Sequence, residues 1–434
     1  MASIIIASVP IHGHVVPLLS LARGLVERGD DVRFLTGARF RDAVSATGAT
    51  HVALPADADF DDRDLLKTFP ELARLSPVRG VGFYVEHVFT RPGVGQYRAI
   101  QDLLRADPSA AVVADPTLAA GAVMTLLPAR ERPAVVVAGI IPLNLPGRDV
   151  PPFGFGLTPR AGWPGRARNA VLTWFEERVI LRGARRAGDE VRRATVGATR
   201  AGSGLGWVGR ADAVAQCTVA SFEYPRPDAS TVVRFTGPIA ESSVDHHRVP
   251  AWWPEVSEHR RPIVHVTQGT LANNEMDDLI RPAVRALADE DVLVVVATGG
   301  APADALGEMP PNVRVADFLP YDVLLPRTSV FLTNGGYGGT QFALRHGVPI
   351  VVAPGGEDKS EVAARVQWSG VGISLRTRRP SPTRIRDAVR EVIGEASYRL
   401  RAMEIAAEIA ASPGTAGVID TIDDAVARHS RIAS

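Results

Sequence analysis

The chain has 434 residues, about two to three times the usual length of one domain, so two packed domains are expected. Lys+Arg and Asp+Glu balance at 48 each, which gives no field to hold nucleic acid or an anionic membrane and points to small-molecule ligands. The one cysteine, Cys217, cannot form an internal bridge and reads as a small buried hydrophobe, and no Cys/His spacing fits a structural zinc site, so a reducing cytoplasm is the expected setting.

Residues 1–10 are apolar but short, lack a basic leader and pass into a turn with two histidines, so they read as a first strand and not a signal peptide. No apolar stretch approaches the roughly 20 residues that cross a bilayer, and a soluble protein is expected. Ile11-His12-Gly13-His14-Val15-Val16-Pro17 follows as a loop, then Leu18, Leu21, Ala22 and Leu25 mark one face of a helix closed by Gly29. Further strands fall at 32–36, 111–115 and 134–138, with helical stretches between them. This alternation is of the α/β class and implies a parallel, doubly wound sheet. Ligands of such sheets sit beyond the carboxyl ends of the strands, where His14 and Asp115 fall.

Between the strands lie two aromatic segments, one with Phe83, Tyr84 and Phe89 and a Pro/Gly-rich one with Phe153, Phe155 and Trp163. They fit a pocket wall and a cap of the core equally well. The acidic run 57–64 reads as a solvated charge cluster and is assigned no metal. Residues 166–200 read as an arginine-rich amphipathic helix with a solvated face, and Gly202-Ser203-Gly204-Leu205-Gly206 is a poor dinucleotide match because no strand leads into it.

After Phe235 the composition turns to Ser, Pro, His and charge, so 236–262 reads as an interdomain linker, its Asp245-His246-His247 polar and not metal-binding. Strand and helix alternation restarts at 263, with strands at 263–267, 292–296, 313–315, 330–332 and 349–352. The second domain is expected over 263–410, and a helix within 411–434 is expected to pack back on the first domain, 1–235. At its centre the strand ending near Leu332 breaks into Thr333-Asn334-Gly335-Gly336-Tyr337-Gly338-Gly339-Thr340 before a helix read at 341–345. Glycines followed by a helix N-terminus suit a phosphate, and they also suit a plain tight turn.

The ordered set Asp317-Phe318-Leu319-Pro320-Tyr321, this glycine run, Gly347-Val348-Pro349, Pro354 through Asp358 and Gly370-Val371-Gly372 resembles the donor-binding signature of family 1 glycosyltransferases. With Gly13-His14-Val15-Val16-Pro17-Leu18 and Gly237-Pro238, the likeness covers nearly the whole chain and leans toward the actinobacterial group that glycosylates macrolides, polyketides and other natural products. The resemblance implies the GT-B architecture: two Rossmann-like domains facing across a cleft, the first for the acceptor and the second for the donor. It implies inverting transfer from UDP- or dTDP-sugar to a hydroxyl of a small, largely apolar acceptor, with His14 as general base and Asp115 as its orienting carboxylate. His12 stays open as the base. Phe318 would stack on the nucleotide base and the backbone of Leu319 would bond its edge. Asn334, Gly335, Gly336, Gly338, Gly339 and Thr340 would hold the diphosphate, with Gly269 and Thr270 closing from the other side, and Asp358 and Lys359 would read the sugar. Phe83, Tyr84, Phe89, Phe153 and Phe155 would wall the acceptor. No metal and no cofactor beyond the nucleotide-sugar is required, and a homodimer is left open.

Three residues depart from the family pattern. Asn334 replaces a histidine, leaving an amide donor without charge; Phe342 replaces a ribose-binding glutamate; and Lys359 replaces a glutamine, offering donors but no acceptor. Two other readings are an epimerase of nucleotide-sugars on the same plan and a non-catalytic partner of another transferase. The first leaves a Gly-His base unexplained, and the second leaves the pair His14 and Asp115 without a use.

Overall fold

Runs of β-branched and small apolar residues alternate with helices along the chain. In a computed structural model, which describes residues 1–197, 204–239, 249–258, 260–269, 275–356 and 358–433, they build two sheets. Among the described residues the first sheet holds β1 Ser3–Ala7, β2 Asp31–Thr36, β3 Thr50–Ala53, β4 Ala111–Ala114, β5 Val135–Gly139, β6 Ala213–Gln216 and β7 Val233–Phe235, in the order β3-β2-β1-β4-β5-β6-β7. The second holds β8 Ile263–Thr267, β9 Leu293–Ala297, β10 Val313–Ala316, β11 Val330–Thr333, β12 Ile350–Val352 and β13 Gly372–Ser374, in the order β10-β9-β8-β11-β12-β13. Every pairing is parallel. The architecture is α/β with two Rossmann-like, doubly wound sheets.

Helices cover both faces of each sheet, which is why the strands are apolar on both sides. In β1, Ile4 and Ile6 share a core with Val15, Leu18 and Leu25 of the helix His12–Glu27. Ile5 and Ala7 face the opposite core, with Val88, Ile100 and Trp207. The last helix, Thr415–Ala433, sends Val418, Ile422 and Ala425 into the first of these cores.

Residues 11–17 read as a loop in the sequence, yet the helix begins at His12 and runs through Pro17, so His14 lies in its first turn. Val15 is already buried on the stripe that continues through Leu18, Ala22 and Leu25, and that burial carries the helix past the proline. The helix has no local side-chain cap, and Asp62 supplies one from the acidic loop by accepting the His12 N–H at 2.6 Å. Asp62 is thus buried against Arg39, not solvated as the charge run suggests.

The arginine-rich segment is two helices, Trp163–Phe175 and Arg182–Thr195, joined through a π-helical turn at Glu176–Ile180; residues 198–200 lie outside the described residues. Another π-helical turn, Val85–Thr90, follows the helix Pro77–Tyr84. Of the stretch read as linker, Trp253–Glu258 form a helix whose Val256 packs with Ile263 and Leu293 of the second domain, and Trp252 Nε1–H donates to the Val315 carbonyl at 3.2 Å. Asp245, His246 and His247 lie outside the described residues.

Strand order reverses between β1 and β4 in the first sheet and between β8 and β11 in the second. Ala7 pairs with Ala114 and Thr267 with Thr333, which sets Ser8 beside Asp115 and Gln268 beside Asn334 at the two reversal points. The carboxyl ends of the sheets meet: Gln216 Nε2–H donates to the Tyr337 hydroxyl at 3.1 Å, and Thr218 Oγ1–H to Gln341 Oε1 at 2.9 Å. Val219 and Phe222, just past β6, are buried with Leu325, Phe331 and Tyr337 of the second domain.

Candidate active site

At the first reversal point Asp115 is fully buried and all its acceptor capacity is in use. Oδ2 accepts from His14 Nδ1–H at 2.8 Å and from Ser8 Oγ–H at 3.1 Å, while Oδ1 accepts from the Thr117 N–H at 2.7 Å and the Thr117 hydroxyl at 2.8 Å. Burial by itself would raise the pKa, but the facing His14 imidazole and the Thr117 bonds outweigh it and hold the carboxyl below its ordinary value. An ionised carboxylate only accepts, so Nδ1 of His14 keeps the proton and Nε2 carries the lone pair that a base needs. His12 has a different setting: burial and then Arg39 lower the pKa of its imidazole, with Asp62 as its neighbouring carboxylate.

Next to this pair, though lined by neither residue, lies an apolar cavity of about 50 Å³. Phe89, Thr117, Leu181, Arg185, Trp207 and Arg210 are in its wall. Trp207 is fixed by its indole N–H, which donates to the Pro116 carbonyl at 3.0 Å. The Phe89 ring lies 6.4 Å from that of His14, with Tyr84 edge-on to Phe89 at 5.2 Å. Of the five expected aromatics Phe89 alone lines this cavity. Phe83 instead stacks on His87 at 4.0 Å, on a different face of the segment from Phe89, six residues further on. Phe153 and Phe155 belong to a loop held elsewhere, by Glu361. The sequence reading missed the opposite wall, where Ala184, Gly188 and Val191 line the cavity from one helix. Small apolar residues at i, i+4 and i+7 were the available signal.

One acid near this wall titrates in the neutral range. Burial, then Glu177 and Glu361, push the Glu176 carboxyl up to about 7 from its ordinary 4.5. The folded chain therefore binds this proton more tightly than the unfolded one, and stability falls as pH rises between those values. Glu176→Gln is expected to be more stable than the wild type at pH 8 by about 2 kcal/mol, a figure discounted for partial exposure, and nearly equal to it at pH 4.5. Urea unfolding at the two pH values checks this, and a pH-independent difference refutes it.

At the second reversal point the glycine run becomes the first turn of a helix, Tyr337–Arg345, four residues earlier than the sequence suggests. Gly335 has φ +93°, open to glycine but strained for other residues, and a Cβ there would come within 3.1 Å of the Lys359 carbonyl. Added Cβ atoms at Gly336 and Gly338 would meet nothing within 4 Å, so this side of the turn is bare backbone. The first N–H groups of the helix have no acceptor inside it, a geometry suited to an anion on the bare side. An added Cβ at Gly339 would meet the Phe331 ring at 3.5 Å, so that side of the residue faces the core. The Thr340 hydroxyl is buried and has no hydrogen-bond partner among the described residues.

Asn334 also differs from expectation. Its side-chain N–H donates to the Gln268 carbonyl and ties the end of β11 to the end of β8, while its buried Oδ1 lacks a partner among the described residues. The amide is thus a clamp between loops, with its second N–H and its Oδ1 not used in that clamp. Gly269 has φ +74° beside Asn334, and Thr270 lies outside the described residues. Phe318 is half exposed, as a stacking ring must be, whereas the Leu319 side chain is core. Asp358 and Lys359 begin the helix Lys359–Ser369.

Known proteins are similar to this chain along nearly its whole length. Residues 282–424 match the family described as Erythromycin biosynthesis protein CIII-like, C-terminal domain. The chain is 41% identical over 428 residues to 4'-demethylrebeccamycin synthase of Lentzea aerocolonigenes, covering 98% of this chain and 100% of the relative. It is 36% identical over 448 residues to UDP-glycosyltransferase 2 of Phaeomoniella chlamydospora, covering 98% and 96%. The chain belongs to the natural-product glycosyltransferases of the GT-B fold. The crystal structure of CalG4, the calicheamicin glycosyltransferase, superposes with a TM-score of 0.72 at 23% identity over 99% of both chains, which bears on the fold alone. In this glycosyltransferase no helix among the described residues is long and apolar enough to cross a membrane.

Proposed function

We propose that the chain is an inverting glycosyltransferase that moves a sugar from UDP or dTDP to a hydroxyl of a small, largely apolar natural product. The observation that carries this reading is the His14–Asp115 pair at 2.8 Å beside an apolar cavity, whose wall includes Thr117 and Phe89. His14 Nε2 takes the proton of the acceptor hydroxyl as that oxygen attacks the anomeric carbon from the side opposite the diphosphate. The new C–O bond forms as the bond to the diphosphate breaks, and Asp115 stabilises the imidazolium. Negative charge grows on the leaving diphosphate, over the bare N–H groups that begin the helix Tyr337–Arg345. On this reading those groups take the charge, the transfer runs without metal or other cofactor, and the enzyme works in the cytoplasm. The name of the fungal relative supports UDP, and Lys359 leaves a deoxysugar or an acidic sugar as candidates.

Thermal shift with UDP, dTDP and their glucose conjugates tests the donor. A nucleotide at 100 times its Kd adds about 2.7 kcal/mol of stability. Phe318→Ala is expected to weaken that binding about tenfold, in line with base stacking worth about 1–3 kcal/mol. No shift with any nucleotide would favour a non-catalytic partner role, and retained anomeric configuration in the product would exclude the single displacement.

A further inference from the structure

The helix that starts at the proposed sugar-reading residues also enters the acceptor domain. Glu361 and Arg365 lie one turn apart on the buried face of Lys359–Ser369, only 3% and 1% exposed. Arg365 Nε donates to Glu223 Oε2 at 2.8 Å, Nη1 to Glu361 Oε2 at 2.9 Å and Nη2 to the Leu143 carbonyl at 3.3 Å, with its guanidinium 4.4 Å over the Tyr224 ring. One oxygen of Glu361 is thereby held by its own helix. The other, Oε1, accepts the N–H of Gly154 at 2.9 Å and the N–H of Gly156 at 2.8 Å. Ser360 Oγ–H donates to the Gly154 carbonyl at 3.3 Å, and a Cβ at Gly156, where φ is +59°, would stand 2.8 Å from the Ser360 carbonyl. The loop carrying Phe153 and Phe155 is therefore wrapped around one carboxylate of the donor helix, and only glycine permits so close an approach at 156.

We propose that Glu361 is a positioning residue that docks the loop 153–156 on the donor helix, so that the loop reaches the acceptor only in register with the sugar-reading residues Asp358 and Lys359. This rests on the proposed function for the meaning of acceptor and donor, but the docking itself does not. Glu361 touches neither the reacting atoms nor the seat for diphosphate; it acts through the loop. Phe153 and Phe155 lie outside the cavity lined by Phe89, so their loop adds a second contact for the acceptor, on the donor side, and the charge network fixes where the loop stands.

Two variants separate loop docking from the charge network. Glu361→Ala removes the carboxylate, and Gly156→Ala lifts the loop while leaving Glu361, Arg365 and Glu223 intact. Hydrogen–deuterium exchange on the full chain reads the 154 and 156 amides directly, and each variant is expected to speed their exchange at least tenfold. Kinetics with 7-hydroxycoumarin and UDP- or dTDP-glucose are expected to show the acceptor KM raised about tenfold in each variant and no further in the double variant, while the donor KM stays within twofold. Unchanged exchange at 154 and 156 in Glu361→Ala overturns the docking, and acceptor and donor KM rising together overturns the positioning role. Failure of the wild type to bind any nucleotide instead sinks the proposed function, while the exchange comparison still decides the docking.

Discussion

His14→Ala is expected to lower kcat by about 10²–10⁴, the usual contribution of a positioned general base, with nucleotide affinity unchanged. The physical ground is a bond chain in which Asp115, buried and accepting four hydrogen bonds, leaves Nδ1 of His14 as the donor and fixes the ring. Asp115→Asn keeps the shape but turns an acceptor into a group that can also donate, so it is expected to lose activity in the same range by favouring the wrong tautomer. Steady-state rates with UDP or dTDP titrations on the same preparations measure both halves of the claim. Near-normal turnover in His14→Ala, or a comparable loss in His12→Ala alone, would move the base to His12 or away from both.

The largest stability effect is expected at Arg365. Its side chain is buried between Glu223 and Glu361, and Arg226, 3.8 Å from Glu223, is a further cation of this network. Arg365→Met leaves two buried carboxylates without their main partner, and breaking such a pair costs about 3–5 kcal/mol. Adding Glu223→Gln and Glu361→Gln neutralises the stranded charges and is expected to recover most of the loss. Urea unfolding of the single and triple variants distinguishes this from mere loss of packing, in which case the triple variant would be no better than the single.

The parts of the molecule that the sequence reveals are those where a local pattern is forced by chemistry. Central strands such as β1, β8 and β11 are buried on both faces and show as short, mostly apolar segments rich in Ile and Val, even though β8 carries His265 and Thr267. β6 is equally buried, but its Ala213-Val214-Ala215-Gln216 lacks the β-branched signature, and β3 and β7 are short and only half buried. The glycine run announces itself because close backbone approach leaves no other residue possible at Gly335. The cavity wall does not, because it gathers residues from several segments, Phe89, Thr117, Leu181 and Trp207 among them, and no local pattern tells Phe89 from its neighbour Phe83. The Glu223–Arg365 pair joins residues 142 positions apart and has no local mark at all.

The last helix adds a constraint on how such a molecule can be made and remade. Val418, Ile422 and Ala425 complete a core whose other walls come from residues 4–34 and their neighbours. During synthesis the amino-terminal sheet must wait, with that groove uncovered, until the final segment leaves the ribosome. Hybrid enzymes that exchange donor halves between relatives therefore need a second crossover near Ser412, so that the terminal segment returns with the parent whose first domain it closes.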